Sequence, residues 1–362
     1  MKKEVIIFMP SIEGGGVEKN LFLVSNYLAK RIKSLRVITI SKKYRKKFSK
    51  SVKLISLESN IWDNFSRRFK YFLSIVLLIK EILKNKKIVV MSFQANIYCI
   101  LICKLFSIKV ISRSNSAPIG WSQNFFKKKI FGIGLKLADK IIVNSIEFKR
   151  DLKKEFNVNA TCIYNPLNKN EILTKSKKKS ARIFKSKGKL RILNIGRFTD
   201  QKDQLTLLKS LNNLKNHIEF ETCIVGRGKL KKKLQKYIVI NKLNKYVKII
   251  DYVDNPYPLI KQTNLFVLSS KFEGLPNVLL ESLVLKKFVI SSDCRTGPKE
   301  ILLNGKGGFL FDVGDYKSLE KKIKYFFFNQ SKCQKMMINS YKSLNRFDYN
   351  KNLKMYLDLF KS

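Results

Sequence analysis

FVLSSKFEGLPNVLLESL, residues 266–283, decides how the rest of the chain is read. An apolar run ends in two serines, a short loop follows, and Pro276 opens a helical pattern. Proline suits a first helical turn because its missing N–H would be unpaired there anyway. Gly274 lets the backbone approach a ligand closely. The amides of Gly274, Leu275 and Asn277 lie at the helix mouth, where the dipole and unpaired N–H groups favour a phosphate. Glu273 sits in the loop and Glu281 in the helix, with seven residues between them. Glu281 falls roughly 7.5 Å along the axis from Pro276, within reach of a ribose beside that phosphate. A glutamate on an amphipathic helix is ordinarily just that. Here its neighbours are apolar apart from Ser282, and an acid in such company needs a partner.

Outward from this segment, short apolar runs alternate with longer amphipathic ones. Predicted strands are 5–9, 35–40, 52–57, 88–93, 110–113 and 141–144, then 190–195, 221–225, 247–250, 265–268, 289–292 and 309–311. Helical patterns include 17–31, 69–83, 125–138, 316–327 and a last one near 350–360. This alternation predicts parallel sheets covered on both faces. A chain of 362 residues exceeds one ordinary hydrophobic core. Residues 169–189 are rich in Lys and Arg with no apolar period, so the expected division is 1–168, a basic linker 169–189, a second domain 190–345 and a terminal helix 346–362. Two similar α/β halves point to Rossmann-like domains facing across a cleft.

The composition adds a strong field. Lys and Arg total 74 against 26 Asp and Glu, a net charge of +48, which draws a protein to polyanions: nucleic acid, anionic lipid or phosphorylated substrates. No recognisable nucleic-acid module appears, and the charge is spread over both halves, so nucleic acid is not an expected partner. The six cysteines are scattered without a CxxC pair and read as reduced core thiols; Cys99 and Cys103, four apart, share a helix face. The single histidine, His217, has no ligand partners nearby and reads as a surface helical residue. No metal site or other cofactor is expected. The N-terminal apolar run is too short for a signal-peptide core, and the longest apolar region, 88–112, is interrupted by polar residues. The expected location is therefore the cytoplasm.

The 266–283 segment resembles the Glu-x7-Glu signature of retaining glycosyltransferase family 4. Further motifs follow in the family's order: GGGVEK (14–19), NIGRFTDQKDQLTLLKSL (194–211), CIVGRGKLKKKLQ (223–235), DYVDNPYPLIKQTNLFVLSS (251–270) and SSDCRTGPKEIL (291–302). They cover nearly the whole second half plus the opening strand. The resemblance implies the GT-B architecture, with the C-terminal helix returning to the N-terminal domain, and retention at the anomeric carbon. It also implies roles. Arg197 and Lys202 grip the donor diphosphate, Glu273 contacts sugar hydroxyls, and Glu281 holds the ribose. Asp254 or its neighbours face the base, and the Gly297 N–H lies beside the sugar. Arg197 and Lys202 also stand in the loop after a predicted strand, where open α/β sheets bind ligands. In the first half, Gly15, Gly16 and Glu18 are expected at an acceptor or phosphate loop. Relatives often carry a histidine facing the sugar; the comparable stretch here, SRSNSAP (112–118), offers Arg113 and Asn115 instead. Asp251 replaces a family glycine, and no Asp-x-Asp occurs.

The resulting expectation is a hexose or N-acetylhexosamine transferase using a nucleotide sugar, UDP-linked for preference, in bacterial surface-glycan synthesis. Its acceptor would be lipid-linked or an oligosaccharide. A sugar-nucleotide epimerase of the same architecture is the first alternative, disfavoured by the scarcity of histidine, and a basic nucleic-acid-binding protein the second. Residues 61–87 and 121–130 mix aromatics with basic clusters, a pattern that suits an anionic membrane interface. A core-facing helix with a solvated basic face reads equally well for either stretch alone.

Overall fold

In the computed structural model, which describes residues 3–57, 61–62, 65–115, 124–186 and 188–361, the first strand shows how the core is divided. Val5, Ile7 and Met9 join one buried apolar cluster, while Ile6 and Phe8 join another. Successive strand residues point to opposite faces, so a strand apolar at every position is one covered by helices on both sides.

The chain forms two compact units: residues 1–166 with 349–362, and residues 167–348. Unit 1 contains β1 (Glu4–Phe8), α1 (Gly16–Ala29), β2 (Ser34–Ile38), β3 (Val52–Ile55), α2 (Arg67–Lys84), β4 (Ile88–Ser92), α3 (Asn96–Leu105), β5 (Lys109–Arg113), α4 (Phe125–Lys136), β6 (Lys140–Val143), α5 (Ile146–Phe156) and β7 (Thr161–Cys162). Unit 2 contains α6 (Lys169–Ser176), β8 (Leu190–Ile195), α7 (Gln204–Leu214), β9 (Phe220–Val225), α8 (Lys231–Ile240), β10 (Val247–Ile250), α9 (Tyr257–Gln262), β11 (Leu265–Leu268), α10 (Asn277–Val284), β12 (Phe288–Ser292), α11 (Pro298–Ile301), β13 (Phe309–Phe311), α12 (Tyr316–Phe328) and α13 (Gln330–Ser343). The chain then returns to unit 1 as α14 (Tyr349–Asp358).

The first sheet runs β3-β2-β1-β4-β5-β6-β7 and the second β10-β9-β8-β11-β12-β13. Every pairing between these strands is parallel. Both have a topological switch point beside the first strand, between β1 and β4 and between β8 and β11. In unit 1 one sheet face is covered by α1 and α14, the other by α2 to α5. The terminal helix thus packs on the N-terminal unit, as anticipated: Leu353, Tyr356, Leu359 and Phe360 enter its core with Leu21, Val24 and Leu28.

The basic stretch 169–189 differs from the expected linker. It carries α6, whose Ile172 is buried and which packs against α9 and α10; Ile183 and Phe184 are buried beyond it. Asn168 caps α6 by accepting from the Glu171 N–H at 3.0 Å. A lysine run hides this short helix because the lysines face solvent while one or two apolar side chains do the packing. His217 also lies just past α7 rather than within it. Cys99 and Cys103 are fully buried on α3, and burial pushes the Cys99 thiol well up from its ordinary value.

Candidate functional site

The carboxyl ends of β8 and β11 run into loops that bond to each other. Lys271 donates its N–H to the Gln201 carbonyl at 2.8 Å, and Gln201 Nε2 donates to the Phe272 carbonyl at 2.9 Å. Ser269 Oγ donates to the Lys202 carbonyl at 3.2 Å. Within this frame Lys202 Nζ pairs with Glu273 Oε1. Ser270 Oγ donates to the same oxygen at 2.6 Å, and Thr296 Oγ1 donates to the Glu273 carbonyl at 2.7 Å. Glu273 is 6% exposed. A buried carboxylate is costly unless paired, and this one is met by one cation and one hydroxyl.

Glycines bring the loops together. Gly297, with φ +86°, precedes α11; a Cβ there would lie 2.2 Å from the Gly274 carbonyl oxygen. A Cβ on Gly226 would lie 1.9 Å from the Gly196 carbonyl oxygen. Only a residue without a side chain permits either approach. Pro276 flanks α10 with extended backbone, one position before the helix proper. Gly274, Leu275 and Pro276 are buried and Asn277 half-buried. Glu281 lies two-thirds of the way along α10, buried among Leu279, Leu280, Leu283 and Val284, with the Tyr257 hydroxyl donating to it at 3.5 Å. Tyr257 opens α9, directly after the segment containing Asp254. Asp254 itself is exposed and accepts from the Tyr252 hydroxyl at 3.3 Å. Arg197 is exposed at the end of β8, its carbonyl accepting from Gln204 Nε2 at 3.1 Å.

So Arg197, Lys202, Glu273, Gly274 and Gly297 lie in the loops at the carboxyl ends of β8, β11 and β12, with Glu281 linked to the Asp254 segment through Tyr257. Unforeseen members are Ser270, Thr296 and Tyr257, and also Arg227, whose guanidinium lies 4.5 Å from the Tyr252 ring centroid. Ser270 and Thr296 follow strand ends in motifs already conspicuous in the sequence, but only tertiary contact shows them holding Glu273. Cys294 is no nucleophile: burial first, then the Glu273 charge, pushes its thiol up to about 12.

The corresponding place in unit 1 departs from expectation. Glu18 is buried and caps α1, accepting the Gly15 N–H at 2.9 Å and the Glu13 N–H at 3.2 Å. Its carboxylate is thus committed to the loop backbone and not presented to an acceptor. Arg113 is completely buried: Nε donates to the Tyr356 hydroxyl at 2.7 Å and Nη2 to Asn165 Oδ1 at 2.8 Å, with the Phe93 ring centroid 5.0 Å away. It fastens α14 to the sheet, so it cannot face a sugar. Asn115 Nδ2 donates to the Phe93 carbonyl at 2.7 Å. The remainder of the expected acceptor stretch, 116–118, lies outside the described residues. Gly15 and Gly16 stand at the start of α1 as anticipated, with Gly14 at φ +81°. Among the described residues no group of three or more His, Cys, Asp and Glu side chains is placed to hold a metal.

Residues 175–343 match the family described as glycosyl transferases group 1. The chain is 34% identical to an uncharacterized glycosyltransferase of Methanocaldococcus jannaschii over 268 residues, 68% of this chain and 65% of that protein's length. It is 24% identical, over 94% of its own length and 92% of the other's, to the Campylobacter jejuni GalNAc-alpha-(1->4)-GalNAc-alpha-(1->3)-diNAcBac-PP-undecaprenol alpha-1,4-N-acetyl-D-galactosaminyltransferase. The crystal structure of Anabaena HepE in complex with UDP and glucose superposes with a TM-score of 0.78 at 15% identity, covering 99% of each chain. That likeness fixes the fold as GT-B.

Proposed function

From a chain whose residues 175–343 belong to the glycosyl transferases group 1 family, we propose a retaining glycosyltransferase that moves a hexose or N-acetylhexosamine from a UDP-sugar to a lipid-linked or polysaccharide acceptor. The pathway would be bacterial surface-glycan synthesis, and the working place the inner face of the cytoplasmic membrane. The observation that carries the reading is the Lys202–Glu273 pair at the β8/β11 switch point, with buried Glu281 on the helix that follows. Relatives named for undecaprenol-linked galactosaminyl transfer, and a fold neighbour solved with UDP and glucose, support the substrate classes.

In this reading the donor diphosphate lies between Arg197, Lys202 and the amides leading into α10. Lys202 is already fixed by Glu273, so its charge is preorganised where negative charge develops. Glu281 accepts from the ribose hydroxyls. Glu273 Oε2 and the Gly297 N–H bond the sugar. The anomeric C–O bond to the diphosphate breaks as the acceptor oxygen bonds to the same face, and the departing diphosphate takes the acceptor proton. Two cations neutralise the leaving group, so the proposal requires no divalent ion.

The test is a thermal-shift and transfer screen against UDP-, GDP-, ADP- and TDP-sugars in the presence of a chelator. One donor class should stabilise the protein, and Glu281→Ala should abolish that shift in a chain that still melts cooperatively. A folded protein indifferent to every nucleotide sugar overturns the reading.

A further inference from the structure

Three neighbouring helices of unit 1 have two apolar sides each. On α2 the core side is Leu78 and Ile82, yet Phe69, Phe72, Val76 and Leu83 are exposed on the other side. Their spacing of three, four and seven makes one stripe along the helix. On α3, Cys99, Ile100 and Cys103 are buried while Tyr98, Leu101 and Leu105 form an exposed stripe. On α4, Leu135 enters the core while Phe126, Ile130, Ile133 and Leu137 repeat the pattern outward. Leu105 and Phe126 are each 75% exposed. All three helices pack on the same sheet face, and α3 touches both α2 and α4. Tyr71 and Tyr98 approach to 6.4 Å between centroids, and Gly134 brings α4 against Ile97. The three outer stripes therefore form a single surface.

The other helices of unit 1 do not share this exposure. The fourth helix on the same face, α5, interleaves Glu147, Asp151 and Glu155 with its basic residues and exposes no large apolar side chain. Nor do α1 and α14, on the opposite face. Contiguous exposed apolar surface marks a partner.

The charges select which partner. Helices α2, α3 and α4 carry ten Lys and Arg, and their one carboxylate, Glu81, is buried and paired with Arg36 at 2.5 Å and Lys84 at 2.7 Å. A second copy docked symmetrically would set this cationic face against itself. A nucleic acid would meet the cations but leave the apolar stripes wet. Apolar stripes flanked by Lys and Arg fit the boundary between acyl chains and anionic headgroups.

We propose that the outer face of α2, α3 and α4 docks on an anionic lipid bilayer, with Phe72, Leu105 and Phe126 entering the headgroup boundary. Lys80 and Lys127, both exposed, flank the stripes and meet lipid phosphates, while Lys104 is paired with Asp139 at 2.8 Å. The proposal extends the reading of a lipid-linked acceptor, but its test does not depend on that reading.

The experiment is flotation of the full chain with vesicles of phosphatidylcholine alone or with phosphatidylglycerol, without nucleotide sugar. Binding is expected only with phosphatidylglycerol. Phe72→Glu with Phe126→Glu should reduce the partition coefficient at least tenfold, and Lys80→Gln, Lys127→Gln and Lys129→Gln together about a hundredfold, each cation being worth about fivefold at such a surface. Phe328→Glu, on unit 2, should change nothing. All variants should melt as the parent does, and thermal shift with nucleotide sugars reports donor binding separately, so either reading can fail alone. Binding that ignores lipid charge, or that survives both sets of substitutions, overturns the proposal. So does a stable dimer in sedimentation that Phe72→Glu dissociates, or retention by DNA but not by vesicles.

Discussion

The first strand of each unit runs into a glycine-bearing loop beside a switch point of the same topology, and the two loops are stabilised differently. In unit 2 the β8 loop is held by a side chain of its own, Lys202, bonded to Glu273 on the neighbouring β11 loop. The pair keeps two opposite charges together at the carboxyl ends of two central strands. In unit 1 the acid just after the β1 loop, Glu18 in the first turn of α1, closes on backbone N–H groups three and five residues away. The cation of β5, Arg113, turns into the core to reach Tyr356 and Asn165. One switch point keeps a charge pair between the loops at its strand ends; the other spends its charge on the fold. The same topology therefore does not give the same chemistry, and the side chains at the strand ends decide.

That contrast can be broken experimentally. The largest expected effect is at Lys202. Lys202→Ala should lower sugar-transfer kcat/KM by roughly 100- to 1,000-fold, the scale of losing one preorganised electrostatic group. It should also destabilise unit 2, because Glu273 is left buried without its cation. Adding Glu273→Gln should restore the melting temperature without restoring activity, which separates the two roles. Next comes Arg113→Ala, which empties a buried volume and strips partners from Asn165 and the Tyr356 hydroxyl. About 3 kcal/mol of stability should be lost in urea unfolding. Donor affinity, measured by titration below the unfolding transition, should be unchanged; a matching loss of affinity would mean that Arg113 serves the site after all.

A smaller effect is expected at Gly297. Alanine there meets both the positive φ and the Gly274 carbonyl, costing about 1–3 kcal/mol. Because the strain falls on the Glu273–Gly274 loop, donor affinity should weaken along with the melting temperature. The smallest belongs to the unit 1 loop: Glu18→Ala should cost about 1 kcal/mol as a lost helix cap, and Glu18→Gln much less. Neither should alter donor affinity. A large loss of transfer from Glu18→Gln with stability intact would erase the distinction between the two loops.

Much of this was legible in the residues. Twelve strands were placed to within a residue or two, because a parallel strand covered on both faces is a mostly apolar run and stands out between amphipathic helices. β7, two residues long at a sheet edge, has too few positions to show a pattern. α6 was hidden by its lysines, since only Ile172 and Ser176 of its eight residues are buried. At the site, Glu281 was visible as an acid among apolar neighbours, and Glu273 by its place in the loop, with seven residues between the two, and by the resemblance. Ser270, Thr296 and Tyr257 were not, since a hydroxyl residue near a turn looks the same whether or not it meets a carboxylate. The aromatic and basic stretches of α2 and α4 were conspicuous, and either alone read equally well as core. The part of the second stretch at 121–123 lies outside the described residues, and the first lacks 63–64.

By itself, the sequence determined the α/β alternation, the division into two halves and the strand–loop–helix segments that carry the charged residues of unit 2. These depend on periodicity and on local backbone preference, both written into neighbouring residues. Only the tertiary structure decided which charges meet: Lys202 with Glu273, 71 positions apart, and Arg113 with Tyr356, 243 apart. It also decided that three outward apolar stripes share one surface. Contacts at such separation are fixed by strand order and by which face each helix covers. No local pattern of residues encodes either.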